Sequence, residues 1–187
     1  MKIDLKTGLL SQITYLSSPN QDQRPEKEEV NLLVMHNISL PPGKYGGQDV
    51  QKFFLNQLDF TTHEYYSKIS HLKVSCHLLI SRDGTVIQFV PFHKRAWHAG
   101  QSCYQGKTDC NNYSIGIELE GVDTEPYTRE QYEKLITCTQ AIMQAYPKIT
   151  PDNIVGHSDI APERKTDPGS AFDWAYYREQ LQFIVSS

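Results

Sequence analysis

"YSIGIELEG", residues 113–121, alternates strictly: Ile115, Ile117 and Leu119 take one side, and Ser114, Gly116, Glu118 and Glu120 take the other. Successive side chains of a strand point to opposite faces, so this is a β-strand with one apolar face and one face of small or acidic residues. The second face has two readings. It can be the wet side of an antiparallel strand, or the floor of a pocket over which Glu118 stands as a general base. Glu120 falls on the same side and is the competing carboxylate.

Working outward, the run Leu32 to Met35 reads as a short apolar strand with His36 at its end. The segment SLPPGKYGG, residues 39–47, holds Pro41, Pro42, Gly43, Gly46 and Gly47 and excludes regular structure. Val50, Phe53, Phe54 and Leu58 then recur at helical spacing. Residues 74–82 and 85–90 flank Asp83-Gly84, which predicts a hairpin closed by a two-residue primed turn. Downstream of the opening strand, Thr128 and Gln131 form a capping box, and Tyr127 with Tyr132 a hydrophobic staple. They start a helix whose stripe is Leu135, Ile136, Ile142 and Met143, ended by Pro147. A terminal helix over residues 172–185 carries Trp174, Tyr177, Leu181 and Ile184. Strands interleaved with helices predict an α/β (α+β) architecture, a mixed β-sheet flanked by helices in a single domain over residues 1–187.

With 187 residues, 39% of them apolar and 21% charged, the chain can bury a core of its own. A net charge of −4 argues against a nucleic-acid surface. No apolar stretch approaches the length needed to span a bilayer. Asp4 and Lys6 interrupt the N-terminal stretch where a signal peptide needs an apolar core, so the expectation is a cytoplasmic protein. Cys76 and Cys138 read as buried thiols. Cys103 and Cys110 bracket YQGKTD and could meet, but free thiols suit that compartment better.

The stretch HSDIAPERKTDPG, residues 157–169, concentrates titratable groups where prolines exclude a regular helix. Pro168 biases Asp167 toward an extended backbone, and on such a segment Lys165 and Asp167 share a face. Catalytic zinc sites commonly use two histidines and a carboxylate and leave a fourth position open. His36, His157 and Asp167 supply that set, with a structural histidine or a simple turn-forming aspartate as the plainer alternatives. His98, next to Trp97 on a Gly-bearing loop, suits either a binding wall or loop packing. His77 lies in a strand pattern and reads as a hydrogen-bonded core imidazole, while His63, His71 and His93 read as surface residues.

Four stretches, VMHNISLPPGKYGG, HLKVSCHLLISRDGTVIQFVPFHKRAWHAG, NNYSIGIELEG and GHSDIAPERKTDPG, together resemble the cytoplasmic AmpD-type N-acetylmuramoyl-L-alanine amidases. The likeness runs from about residue 30 to about residue 180, and the wider family includes phage lysozyme-amidases and animal peptidoglycan recognition proteins. The resemblance implies their fold, with Zn2+ held by His36, His157 and Asp167, Glu118 as the catalytic carboxylate and Lys165 as the transition-state cation. It implies hydrolysis of the lactyl-L-Ala amide of 1,6-anhydro-N-acetylmuramyl peptides during peptidoglycan recycling, with that muropeptide as partner; the expected state is a monomer. Asn37, Lys73, Trp97 and His98 are the expected substrate contacts. Relatives often carry Arg at the place of Lys73 and a basic residue near Asp109, so how the peptide carboxylates are held departs from the pattern. Two other classes compete: a non-catalytic peptidoglycan-binding module and a two-carboxylate glycosidase.

Overall fold

Residues 114–120 form the central strand of the molecule in a computed structural model that describes residues 1–185, with side-chain surroundings up to residue 181. Ile184 lies outside the residues whose side chains are described. Six strands make one mixed sheet: β1 (Thr14–Tyr15), β2 (Leu32–Ile38), β3 (Leu78–Ile80), β4 (Val86–Gln88), β5 (Ser114–Glu120) and β6 (Ile154–Gly156). Their spatial order is β6-β2-β5-β3-β4-β1. β5 runs parallel to both neighbours, β6 runs parallel to β2, β1 runs parallel to β4, and only β3 and β4 are antiparallel. The helices are α1 (Asp49–Phe54), α2 (Glu64–Ile69), α3 (Arg129–Ala145), α4 (His157–Ile160) and α5 (Trp174–Val185).

Every residue of β5 is buried, so the reading of a half-wet antiparallel strand is corrected: parallel partners on both sides go with covered faces on both sides. On one face Leu33, Met35, Ile115, Ile117 and Leu119 pack against Leu135, Ile142, Tyr177 and Leu181 of α3 and α5. Each such side chain stabilises by roughly 1.5–3 kcal/mol when fully buried. The opposite face is covered in two places. Leu79 packs with Phe53, Phe54 and Tyr66 of α1 and α2, and Leu32 and Val34 pack with Val155, Ile160 and Tyr113.

The capping box of α3 forms as its sequence requires. Gln131 N–H donates to Thr128 Oγ1 and Thr128 N–H donates to Gln131 Oε1, both at 3.1 Å. Tyr127 and Tyr132 meet edge-to-face with ring centroids 6.4 Å apart. Two local expectations change, and one helix is added. α1 stops at Phe54, because Asn56 takes a left-handed conformation (φ 57°) that Asn tolerates, and Leu58 joins the core from a loop. α2 has no periodic apolar signal of its own; it is capped by His63, whose Nδ1 accepts the Tyr65 N–H at 3.0 Å. The β3–β4 turn is a three-residue connection, with Gly84 N–H donating to Ser81 O and Ser81 N–H to Thr85 O, each at 2.9 Å. Gly84 sits at φ 80° while Asp83 does not have a positive φ, so the two-residue type I′ turn is excluded. The four cysteines are free thiols, with Cys103 exposed. Among the described residues no helix is long and apolar enough to cross a membrane.

Candidate metal centre

The site sits at the carboxyl ends of the parallel strands. In register, Glu118 of β5 lies opposite His36 of β2, and parallel neighbours present their side chains to the same face. β2 therefore runs beyond the apolar run and carries both His36 and Asn37. β6 ends with Gly156 opposite Met35, which brings His157 beside His36. His157 is the first residue of α4, not part of a loop. Asp159 Oδ2 accepts the Gly156 N–H at 2.7 Å and so starts that single turn, which ends at Ile160 because Ala161 precedes Pro162. The chain then folds back, and the Ser158 N–H donates to Asp167 O at 3.0 Å.

His36 Nδ1, His157 Nδ1 and Asp167 Oδ2 converge at 2.9, 3.1 and 3.0 Å from one another. His157 Nε2 lies 3.1 Å from Ala99 O, a pure acceptor, so Nε2 carries the proton and Nδ1 is a bare lone pair. Two imidazole nitrogens and a carboxylate oxygen gathered this closely could hold a metal ion. Three vertices of a zinc tetrahedron with bonds of about 2.0–2.1 Å would be about 3.3 Å apart, so the triangle fits zinc after slight expansion. Two imidazoles with one carboxylate suit zinc better than calcium or magnesium. Burial, followed by repulsion from His157, lowers the His36 pKa to about 4. Burial alone would raise Asp167, but the His157 and His36 imidazoles beside it outweigh burial and hold the carboxyl well below the ordinary range.

His157 and Asp167 line a cavity of about 470 Å³ that also takes in Glu118, Lys165, Asn37 and His98. Lys165 and Asp167 do face one space, as their spacing suggests. Glu118 is buried and its Oε2 has no hydrogen-bond partner. Burial first, and the Asp167 charge second, push its pKa well above the ordinary value, with Lys165 opposing. The facing wall is apolar and includes Leu40, Phe53, Ile69 and Val74. Glu120 is differently placed: Oε1 accepts the Gly46 N–H at 2.7 Å and Oε2 the Arg82 N–H at 3.0 Å, which ties the 39–47 loop to the sheet.

Of the expected substrate contacts, Asn37 lines the cavity, with its Nδ2 donating to Asp123 Oδ1 at 2.8 Å and Pro168 O at 3.1 Å. His98 also lines it but is buried, and both ring nitrogens are engaged. Trp97 and Lys73 are placed differently. Neither is among the residues that line the cavity. Trp97 instead bonds Ser75 through its backbone, and Lys73 is exposed. His77 is a core imidazole whose Nδ1 accepts the Gly116 N–H at 3.0 Å. Residues with no sequence signature also build the site: the Ala99 carbonyl, Asn111, and Arg164, whose Nη2 donates to Ala99 O at 2.7 Å.

A mixed sheet with two histidines and an aspartate at its carboxyl edge, and a buried glutamate one strand away, makes this an α/β protein with a candidate metal centre. The N-acetylmuramoyl-L-alanine amidase family (Amidase_2) matches residues 26–170, and the chain belongs to that family. It is 55% identical over 177 residues to the 1,6-anhydro-N-acetylmuramyl-L-alanine amidase AmpD of Enterobacter cloacae, covering 95% of this chain and 94% of that one. The crystal structure of a selenomethionine AmpD derivative superposes with a TM-score of 0.93 at 51% identity, covering 97% of this chain and 99% of the other. The Escherichia coli amidase AmiD, solved with the substrate anhydro-N-acetylmuramic acid-L-Ala-D-γ-Glu-L-Lys, superposes with a TM-score of 0.60 at 29% identity, covering 84% of this chain and 60% of that one.

Proposed function

We propose that this AmpD-type enzyme, an anhydro-muropeptide amidase of peptidoglycan recycling, depends on zinc held by His36, His157 and Asp167 and uses Glu118 and Lys165 as its catalytic side chains. One observation carries the proposal: three lone-pair donors about 3 Å apart stand beside a buried carboxylate whose Oε2 has no partner. Zinc bound there supplies Lewis acidity and acidifies water. Glu118 accepts the proton of the attacking water and delivers it to the departing L-Ala nitrogen. Lys165 faces the amide oxygen as negative charge builds on it, a contribution of about 3–4 kcal/mol for a well-placed donor. Asn37 borders the same space and contacts the substrate, while the apolar wall excludes water from the amide.

The competing classes fit less well. A binding module has no use for a buried, unpartnered carboxylate. A glycosidase needs a second working carboxyl, whereas Asp167 is bonded to two imidazoles. We take the protein to act as a monomer in the cytoplasm on a muropeptide carrying the 1,6-anhydro sugar. Mass spectrometry of an anhydro-muropeptide incubated with the enzyme tests the reaction. Free anhydro-sugar and free peptide are expected, and a chelator should abolish both; cleavage that survives the chelator rejects zinc, and a cut glycosidic bond rejects the amidase.

A further inference from the structure

We propose that His98 is a positioning residue for the metal ligand His36, acting through a His36–His98–Ser114 relay that dictates which nitrogen of His36 faces the metal. This rests on the zinc reading above. His36 Nε2 lies 2.9 Å from His98 Nδ1, and His98 Nε2 lies 3.1 Å from Ser114 Oγ. The His36 and His98 rings meet edge-on, with centroids 5.0 Å apart and planes at 80°. Once His36 Nδ1 gives its lone pair to a cation, its proton must sit on Nε2. That proton is then donated to His98 Nδ1, which must be bare. The His98 proton therefore sits on Nε2 and is donated to Ser114 Oγ. With the metal on His36 Nδ1, this one proton arrangement satisfies the whole chain. Metal-bound imidazoles are regularly held this way by an acceptor on the far nitrogen, and loss of that acceptor typically weakens the metal by about 10–100-fold.

Two independent features show that the fold makes room for this ring. A Cβ on Gly116 would fall 2.5 Å from His98 Cγ and Nδ1, so β5 leaves out one side chain to seat it. The 97–99 segment also orients both ligand imidazoles, His36 through the His98 side chain and His157 through the Ala99 carbonyl at 3.1 Å. Asn111 Oδ1 pins that segment by accepting the His98 N–H at 3.0 Å and the Ala99 N–H at 2.8 Å. With both nitrogens engaged, His98 has no ring donor or acceptor left for substrate.

The test is zinc affinity of the full chain, measured by competition with a chromophoric chelator, for the wild type, Asp167→Ala, His98→Leu and His98→Asn. Leu has nearly the shape of Asn but offers no acceptor, whereas the Asn Oδ1 stands where the imidazole Nδ1 stood. His98→Leu should bind zinc about 10–100-fold more weakly, and His98→Asn should return to within about 3-fold of the wild type. Wild-type affinity in His98→Leu, or equal loss in both variants, overturns the relay. A raised KM with unchanged zinc affinity would make His98 a substrate contact instead. If the wild type binds no zinc, or Asp167→Ala binds as well as it does, the zinc reading itself fails whatever His98 does. Should His98→Leu not fold by circular dichroism, ring-nitrogen NMR of the zinc-loaded wild type decides. A proton on Nε2 of both His36 and His98 supports the relay, and a proton on His98 Nδ1 overturns it.

Discussion

Replacing Gly116 by Ala should disturb the metal centre although Gly116 touches neither metal nor substrate. The added methyl carbon would lie 2.5 Å from His98 Cγ and Nδ1 and 2.7 Å from Cδ2. Carbon contacts settle at about 3.5–4 Å, so one partner must retreat by about 1 Å. The strand cannot easily do so, because the Gly116 N–H donates to His77 Nδ1 and its carbonyl accepts the His77 N–H, both at 3.0 Å. The His98 ring must move, and a shift of that size takes its 2.9 and 3.1 Å contacts with His36 and Ser114 beyond hydrogen-bond range. Overpacking of this kind costs about 1–3 kcal/mol. For a chain of this size, 2 kcal/mol lowers Tm by about 4–8 °C. Zinc affinity should fall in parallel by about 10–100-fold. Thermal melting with and without zinc, together with chelator competition, reads both effects. The double variant Gly116→Ala with His98→Ala supplies the check: with the ring gone the methyl has space, so the two losses should not add. A Gly116→Ala protein with wild-type Tm and zinc affinity would refute the wedge and the relay together.

Three further outcomes are expected. Glu118→Gln keeps shape and metal but cannot accept a proton, so kcat should fall by roughly 10²- to 10⁴-fold at full zinc occupancy; near-normal turnover would show that another group is the base. Glu120→Gln points an amide NH2 at the Gly46 or Arg82 N–H. It should cost about 1–3 kcal/mol of stability with zinc content unchanged, and a kcat loss as deep as that of Glu118→Gln would exchange their roles. Zinc-free protein should weaken as pH falls below 6.5. His36 is neutral when folded, with its pKa lowered from 6.5 to about 4 by burial first, and burial likewise sets His77 and His98 well below the ordinary value. Because the unfolded chain takes up these protons first, stability is full above pH 6.5 and is lost as pH drops toward 4. His36 alone accounts for about 3 kcal/mol of that loss. Denaturant midpoints at pH 7 and pH 5 measure it, and equal midpoints would contradict the buried neutral state.

Elements specified by neighbouring residues were legible, and those specified by distant ones were not. α3 could be read because its start depends on Thr128, Gln131, Tyr127 and Tyr132, all within one turn. The β3–β4 hairpin was legible in place, since Asp83-Gly84 marks a positive φ. Its turn type was not, because strand register decides whether two or three residues close the loop. The alternation of β5 identified an apolar face, but it could not say that the other face is also covered. That cover is assembled from α1, α2 and the Tyr113 region, which come from separate parts of the chain. The strand β2 outlasts its apolar run for a related reason: His36 and Asn37 stay in the ladder because the site needs them there, and local pattern rules tend to fail at such places.

The His36, His157 and Asp167 cluster was legible because metal chemistry needs particular side chains. What orients those ligands was hidden because it depends on groups without a side-chain signature. His157 is oriented by a backbone carbonyl, and the ring that orients His36 is seated by the absence of a side chain at Gly116. For His98 the sequence suggested a binding wall, because a loop imidazole stands beside a tryptophan, and nothing local reveals that both its nitrogens are engaged. One trace did stand in the sequence. A glycine inside a regular strand is unfavourable unless something must approach the backbone closely, and Gly116 falls between Ser114 and Glu118 on one face. Seen with the ring in place, these positions form a continuous argument. Ser114 accepts the last proton of the relay, Gly116 clears the space for the ring, and Glu118 stands across from the histidine that the relay holds. Apolar bulk at Ser114 or Gly116 would suit a buried strand better, and would leave His36 free to turn its nitrogen away from the metal.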